Sequence, residues 1–286
     1  MTVTTFGAAS GRSRPAAGSQ HAPLVVAIHG GTYDSQYFDV PGHSLLDRAE
    51  ANGIAIVAID RPGYGETPLL PRADMSFAGQ AHFLCGALRQ IWDVHGGPCA
   101  GMVIVAHSIG AAIALTLASD PGDLPLIGVA VSGVGMRTPP EHNAAWEALP
   151  DTDLVTMPDA VKDVVMFGPD GSFAPDAVAA ARVANRAAPK VELIEITGAW
   201  QERAADILGR IAVPVHYRQG EGDKLWIVDA DEVASFAGAL RMSPRVDAAL
   251  LPGTGHCLDF HAIGPAFQLS QLSFALQCAA EAGYSR

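Results

Sequence analysis

What most limits the folds open to this chain is a series of short, continuous apolar runs, at residues 24–28, 54–59, 102–106, 126–131, 213–217 and 246–251. The first, Leu24-Val25-Val26-Ala27-Ile28, lies between Pro23 and Gly30-Gly31. It is too short for a helix and shows no alternation, so it reads as a strand buried on both faces. Between the early runs lie segments 44–51, 76–94 and 109–118, whose apolar residues recur at three and four. Strand, helix, strand repetition calls for parallel pairing through right-handed crossovers, with helices on both faces. The reading is an α/β chain with a mostly parallel, doubly wound sheet.

That rhythm stops between about residues 135 and 209. Pro139-Pro140, Pro150 and Pro158 break the chain there, 175–188 is an Ala-rich helical stretch, and no buried strand is read. An insertion this long needs structure of its own, and it reads as a mostly helical cap over the carboxyl edge of the sheet. The expected organisation is a core in two parts, 1–134 and 210–286, with the cap or lid at 135–209. Segments 229–240 and 264–282 are read as the closing helices, and no internal repeat is found.

Charge and composition remove several function classes. With 18 basic against 30 acidic residues the formal net charge is −12, so a phosphate backbone is repelled and nucleic acid is not expected as a partner. The longest nearly apolar stretch, 109–118, is about half the roughly twenty residues a spanning helix needs, so no membrane span is expected. Residues 1–22 lack a charged start followed by a long apolar run, so a cytoplasmic location is the default. Cys85, Cys99, Cys257 and Cys278 have no CxxC spacing and read as reduced thiols.

Ligands of such sheets bind beyond the carboxyl ends of the strands. After the third run comes Ala106-His107-Ser108-Ile109-Gly110, leading straight into a helix. A strand, a sharp turn and a helix, with small residues two positions either side of a serine, hold a strained turn with an exposed hydroxyl. The plainer reading is a serine N-cap. After the first run stands His29-Gly30-Gly31-Thr32, a flexible backbone able to aim an N–H at a developing oxyanion. After the last stands Gly253-Thr254-Gly255-His256, a histidine on a glycine-flanked loop. Serine at one strand end and histidine at another, in the order nucleophile then base, argue against coincidence.

These segments, together with Asp60-Arg61-Pro62-Gly63-Tyr64-Gly65 and Gly220-Glu221-Gly222-Asp223, make the sequence resemble the α/β-hydrolase family. The likeness is to its capped branch of small esterases, C–C bond hydrolases, perhydrolases and acyltransferases. The resemblance implies an α/β-hydrolase fold, Ser108 as nucleophile, His256 as base and Asp223 as the acid that orients it. It further implies an oxyanion hole from the backbone N–H groups of Ile109 and Gly31, with Thr32 the alternative to Gly31. Glu221 is the second choice for the acid, followed by Asp229 or Asp231. Two departures stand out: Ala106 occupies a position where glycine is usual, and the strands preceding His29 are short and polar.

Other residues receive plainer readings. Asp60 and Arg61 build a turn, and His107 is a packed histidine pointing away from the nucleophile. His256, Cys257, Asp259 and His261 are dense in donor types, yet no second cluster selects a geometry, so no metal is expected. Thr32, His29, Trp146, Phe167 and Trp200 are candidates for the substrate pocket, although packing explains most cap aromatics and methionines. The expected function is a cofactor-independent serine hydrolase cleaving an ester or thioester of a moderately apolar acyl group. Acyl transfer, C–C cleavage, cyclisation, or ligand binding without turnover are the alternatives on the same fold. The expected partner is a small molecule; self-association is allowed but not predicted.

Overall fold

The computed structural model describes residues 4–15 and 21–284. Its chain opens with a hairpin of β1 (Thr4–Phe6) and β2 (Ala9–Arg14), followed by β3 (Leu24–Ile28), β4 (Ala55–Ile59), β5 (Met102–His107) and β6 (Leu126–Ser132). A short antiparallel pair, β7 (Leu154–Val155) and β8 (Ala188–Pro189), stands apart from the sheet, which is completed by β9 (Val215–Gly220) and β10 (Val246–Leu251). The order across the main sheet is β1-β2-β4-β3-β5-β6-β9-β10, parallel from β4 onward. All of β3 is buried, as a strand walled by helices on both faces must be. The polar N-terminal strands form an antiparallel edge, Gly11–Arg14 pairing with Ile59–Ile56. A Cβ at Gly11 would lie 2.4 Å from Ala58 O, so that pairing needs glycine.

The helices are α1 (Leu45–Ala51), α2 (Phe77–His95), α3 (Ile109–Ala118), α4 (Glu141–Glu147), α5 (Asp159–Met166), α6 (Pro175–Ala181), α7 (Lys190–Thr197), α8 (Ala199–Leu208), α9 (Ala230–Ala239) and α10 (Gly264–Tyr284). Ser44, Ser76 and Asp229 start α1, α2 and α9 by accepting backbone N–H bonds from Asp47, Gly79 and Glu232. Helices α2, α3, α8 and α9 cover one face of the sheet, and α1 and α10 the other. None of the helices among the described residues is long and apolar enough to cross a membrane.

Element ends shift by one to several residues from the sequence reading, and two of the shifts have a plain physical cause. The fifth apolar run enters the ladder at Val215 rather than residue 213, because Pro214 has no N–H to donate and contributes only its carbonyl, to Val129 N. The Ala-rich helix ends at Ala181 and tightens into a single turn over Arg182–Ala184 instead of reaching residue 188. There Asn185 bridges Tyr33, and Arg186 N donates to Thr32 O at 2.9 Å, so pairing with the loop after β3 overrides helix propensity.

Candidate active site

Ser108 sits between β5 and α3 with φ 56° and ψ −127°, a region L-residues avoid. Its carbonyl accepts from Ala111 N and Ala112 N, which opens α3, while its hydroxyl caps nothing. The N-cap reading therefore fails. The turn is this sharp because the neighbouring backbones touch. A Cβ at Gly110 would lie 2.2 Å from His29 O, and one at Gly30 would lie 2.8 Å from Ser108 Cβ. Ala106, level with Ile28 and Val131, is accommodated.

The freed hydroxyl meets His256. Ser108 Oγ is 2.9 Å from His256 Nε2, and His256 Nδ1 is 2.7 Å from Asp223 Oδ2. Asp223 Oδ1 accepts from Leu225 N at 2.9 Å, and Oδ2 also accepts from Gln219 Nε2 at 2.8 Å, which fixes the carboxylate plane. Glu221 turns away and accepts from Gly253 N at 3.0 Å, and Asp229 caps α9. Among the carboxylates considered, it is Asp223 that faces the histidine.

Packing holds this row in place. His261 Nε2 accepts from Gly255 N at 2.8 Å and from Gly168 N at 3.1 Å, while its Nδ1–H donates to Cys257 O, bracing the loop that carries His256. His107 is buried, stacked on Tyr37 with ring centroids 4.8 Å apart, and 4.7 Å from the His256 ring. Burial, then the adjacent His256, keeps the affinity of His107 for a proton far below that of a free imidazole. The donor types clustered after His256 turn to separate partners. Asp259 accepts from Tyr37 OH and Gln268 Nε2, and the Cys257 thiol, pushed up to about 12 by burial, lies beside Tyr33 OH.

Above Ser108 is a cavity of about 290 Å³ whose floor includes Gly31, Thr32 and Ile109 and whose walls include Trp146, Met157, Val161, Val165, Leu193 and Trp226. Three of the residues proposed for this pocket lie elsewhere. Trp200 is buried in the core, donates to Gly135 O and packs near Phe77. Phe167 packs on Phe173 and Phe260. His29 is fully buried behind the loop, its Nε2 accepting from Arg61 N.

The sequence reading missed the charges behind that loop. Arg61 and Glu192 are both fully buried, with Arg61 Nη1 2.6 Å from Glu192 Oε2 and Nη2 3.2 Å from Oε1. Tyr64 OH and Gln80 Nε2 also donate to Glu192, while Arg61 Nε and Nη2 donate to His29 O and Gly30 O. Burial is the largest influence and works against the Arg61 charge, but Glu192 and Tyr64 together outweigh it and raise its pKa. On the other side, Lys162 of α5 reaches Thr32 O. Arg61 at least lay within a motif; Glu192 and Lys162 carry no local signal.

A model of the alpha/beta hydrolase family matches residues 25–264. Among solved structures the chain is similar to E-2-(acetamidomethylene)succinate hydrolase, with a TM-score of 0.67 and 18% identity over 96% of this chain and 98% of that one. It is also similar to a monoacylglycerol lipase from Paleococcus ferrophilus, with a TM-score of 0.68 and 17% identity over 97% and 100% of the two chains. A thermophilic esterase from Thermogutta terrifontis gives 0.65 and 16% over 95% and 94%. At such identities the likeness concerns the fold. A sequence search of curated proteins finds no match.

Proposed function

Because the chain belongs to the alpha/beta hydrolase family, and is in that class a hydrolase, we propose that it cleaves an ester or thioester of an apolar acyl group through an acyl-enzyme on Ser108. The observation that carries this reading is the unbroken hydrogen-bonded row from Asp223 through His256 to Ser108, ending at the floor of an apolar cavity. His256 Nε2 takes the Ser108 proton as Oγ attacks the carbonyl carbon, and returns it to the leaving group. Asp223 keeps Nδ1 protonated and stabilises the imidazolium. Water activated by the same histidine then releases the acid.

The oxyanion forms against the backbone N–H groups of Ile109 and Gly31. Gly31 is preferred to Thr32 because the Thr32 N–H is turned to Tyr64 OH at 3.3 Å. Residues 135–209 act as the cap, and Trp146, Met157 and Val161 set which acyl groups enter. Lipase and esterase among the similar structures favour ester chemistry. The test is a p-nitrophenyl ester series of rising chain length, then thioesters, beside labelling by a fluorophosphonate. Ser108→Ala should keep the fold and lose both turnover and labelling. Labelling that survives in Ser108→Ala, or a folded wild type that neither labels nor turns over, rejects the mechanism.

A further inference from the structure

Lys162 is an anomaly on α5. Its neighbours Val161 and Val165 line the cavity, yet its own ammonium is buried, a costly position for an ion without a carboxylate in contact. Lys162 Nζ donates to Thr32 O at 2.7 Å and to Asn185 Oδ1 at 2.5 Å, and stands 3.3 Å from the centroid of the Tyr33 ring. The surrounding charged groups are otherwise engaged. Asp34, on the loop after β3, pairs with Arg186 at 2.6 Å; on α5 itself, Asp163 pairs with Arg182, and Asp159 accepts from Asn185 Nδ2 at 2.9 Å. The Cys257 thiol and the Tyr33 phenol are further titratable groups facing it.

The carbonyl that receives this ammonium belongs to a strained residue. Thr32 is β-branched yet has φ 63°, in the left-handed region. It is held at both ends, its N–H by Tyr64 OH and its carbonyl by Lys162 Nζ and Arg186 N. One residue earlier lies Gly31, the proposed oxyanion donor.

We propose that Lys162 is a positioning residue: through Thr32 O it ties the docking of α5 over the cavity to the conformation of the oxyanion loop, so that the donor pair is complete only with α5 in place. The inference rests on the acyl-enzyme reading above, and it gives the segment over the cavity a part in the chemical step besides selection of substrate. Burial pulls the Lys162 ammonium down to about 7, so the tether loses its charge as the pH rises through the neutral range.

The experiment compares wild type, Lys162→Met and Asn185→Asp on p-nitrophenyl acetate from pH 6 to 10, with amide hydrogen exchange on each. For Lys162→Met, kcat should fall by about tenfold or more with KM little changed, because the loss is of transition-state stabilisation. Amides of residues 30–34 should exchange faster in that variant while α10 is unaffected. Wild-type kcat should decline on the alkaline side, a limb absent from Lys162→Met. In Asn185→Asp a new carboxylate faces the ammonium, so the limb should move to higher pH, a change a purely structural lysine would not produce and a readout that stands even if Lys162→Met misfolds. Wild-type protein without Ser108-dependent turnover overturns the acyl-enzyme reading and this inference with it. An active wild type whose alkaline limb ignores both substitutions overturns the inference alone.

Discussion

The buried Arg61–Glu192 pair invites a quantitative test. Replacing Glu192 by Gln removes a carboxylate that accepts from Arg61 Nη1 and Nη2, Tyr64 OH and Gln80 Nε2. Arg61 would retain only neutral acceptors, the amide oxygen left at position 192 beside His29 O at 2.9 Å, Gly30 O at 3.1 Å and Gln80 Oε1 at 2.8 Å, at a site with no solvent exposure. Breaking a buried pair by removing one partner costs about 3–5 kcal/mol, a large part of the roughly 5–15 kcal/mol that holds a typical domain folded. Arg61→Met should cost a similar amount, since it leaves Glu192 buried and uncompensated. The double variant should then be milder than the sum of the two, by about 1–3 kcal/mol, as coupled neighbours are. Urea unfolding at neutral pH, followed by tryptophan fluorescence and extrapolated linearly, measures all four corners of the cycle. Single variants costing less than about 1 kcal/mol each, and adding without coupling, would refute the claim that this pair is a mutually dependent buried unit.

Further outcomes follow from other contacts. Asp223→Asn should lower turnover of an activated ester by about two orders of magnitude or more with little change in fold, whereas Glu221→Gln should cost well under about tenfold; the kcat/KM ratios decide between them. Gly110→Val should be barely expressed or melt far lower, because its side chain would be driven into His29 O; a wild-type melting temperature would displace the turn from where it is drawn. Stability should also depend on Lys162. Its folded pKa of about 7 lies below the ordinary 10.5, so between those values the unfolded chain binds more protons and wild type gains stability with rising pH. The gain relative to Lys162→Met should approach about 1.4 kcal/mol per pH unit in that window, and parallel stability curves for the two proteins would contradict it.

What the sequence disclosed was local in character. The β3 run and the serine turn can be read from five neighbours each, since a strand walled on both faces must be apolar throughout and a tight turn must be flanked by small side chains. Pro214 could have corrected the start of β9, because the missing N–H is written in the residue type. Where a helical aromatic points was not legible in the same way. Trp146 and Trp200 both lie on short helices near the site, and only tertiary packing sends one to the cavity and the other to Gly135 O. Glu192 and Lys162 were harder still, because their partners Arg61 and Thr32 are distant in sequence and neither charge has a spacing that announces it. His29 was misplaced for a related reason: its motif fixed the backbone but said nothing of the ring, which Arg61 N holds behind the loop.

The strands on either side of residues 135–209 are themselves neighbours: Val129 pairs with Val215 and Ser132 with Arg218, so the chain leaves and re-enters the sheet at adjacent points. A detour that begins and ends in one place is cheap to alter, as doubling its length adds only about 0.6 kcal/mol of closure entropy. Closure entropy therefore sets little limit on the length of this segment. A segment transplanted in place of residues 135–209 would bring its own cavity walls but neither the carboxylate that reaches Arg61 nor the ammonium that reaches Thr32. Chimaeras of this protein should accordingly be less stable than wild type and turn substrates over poorly, until those two charges are grafted as well.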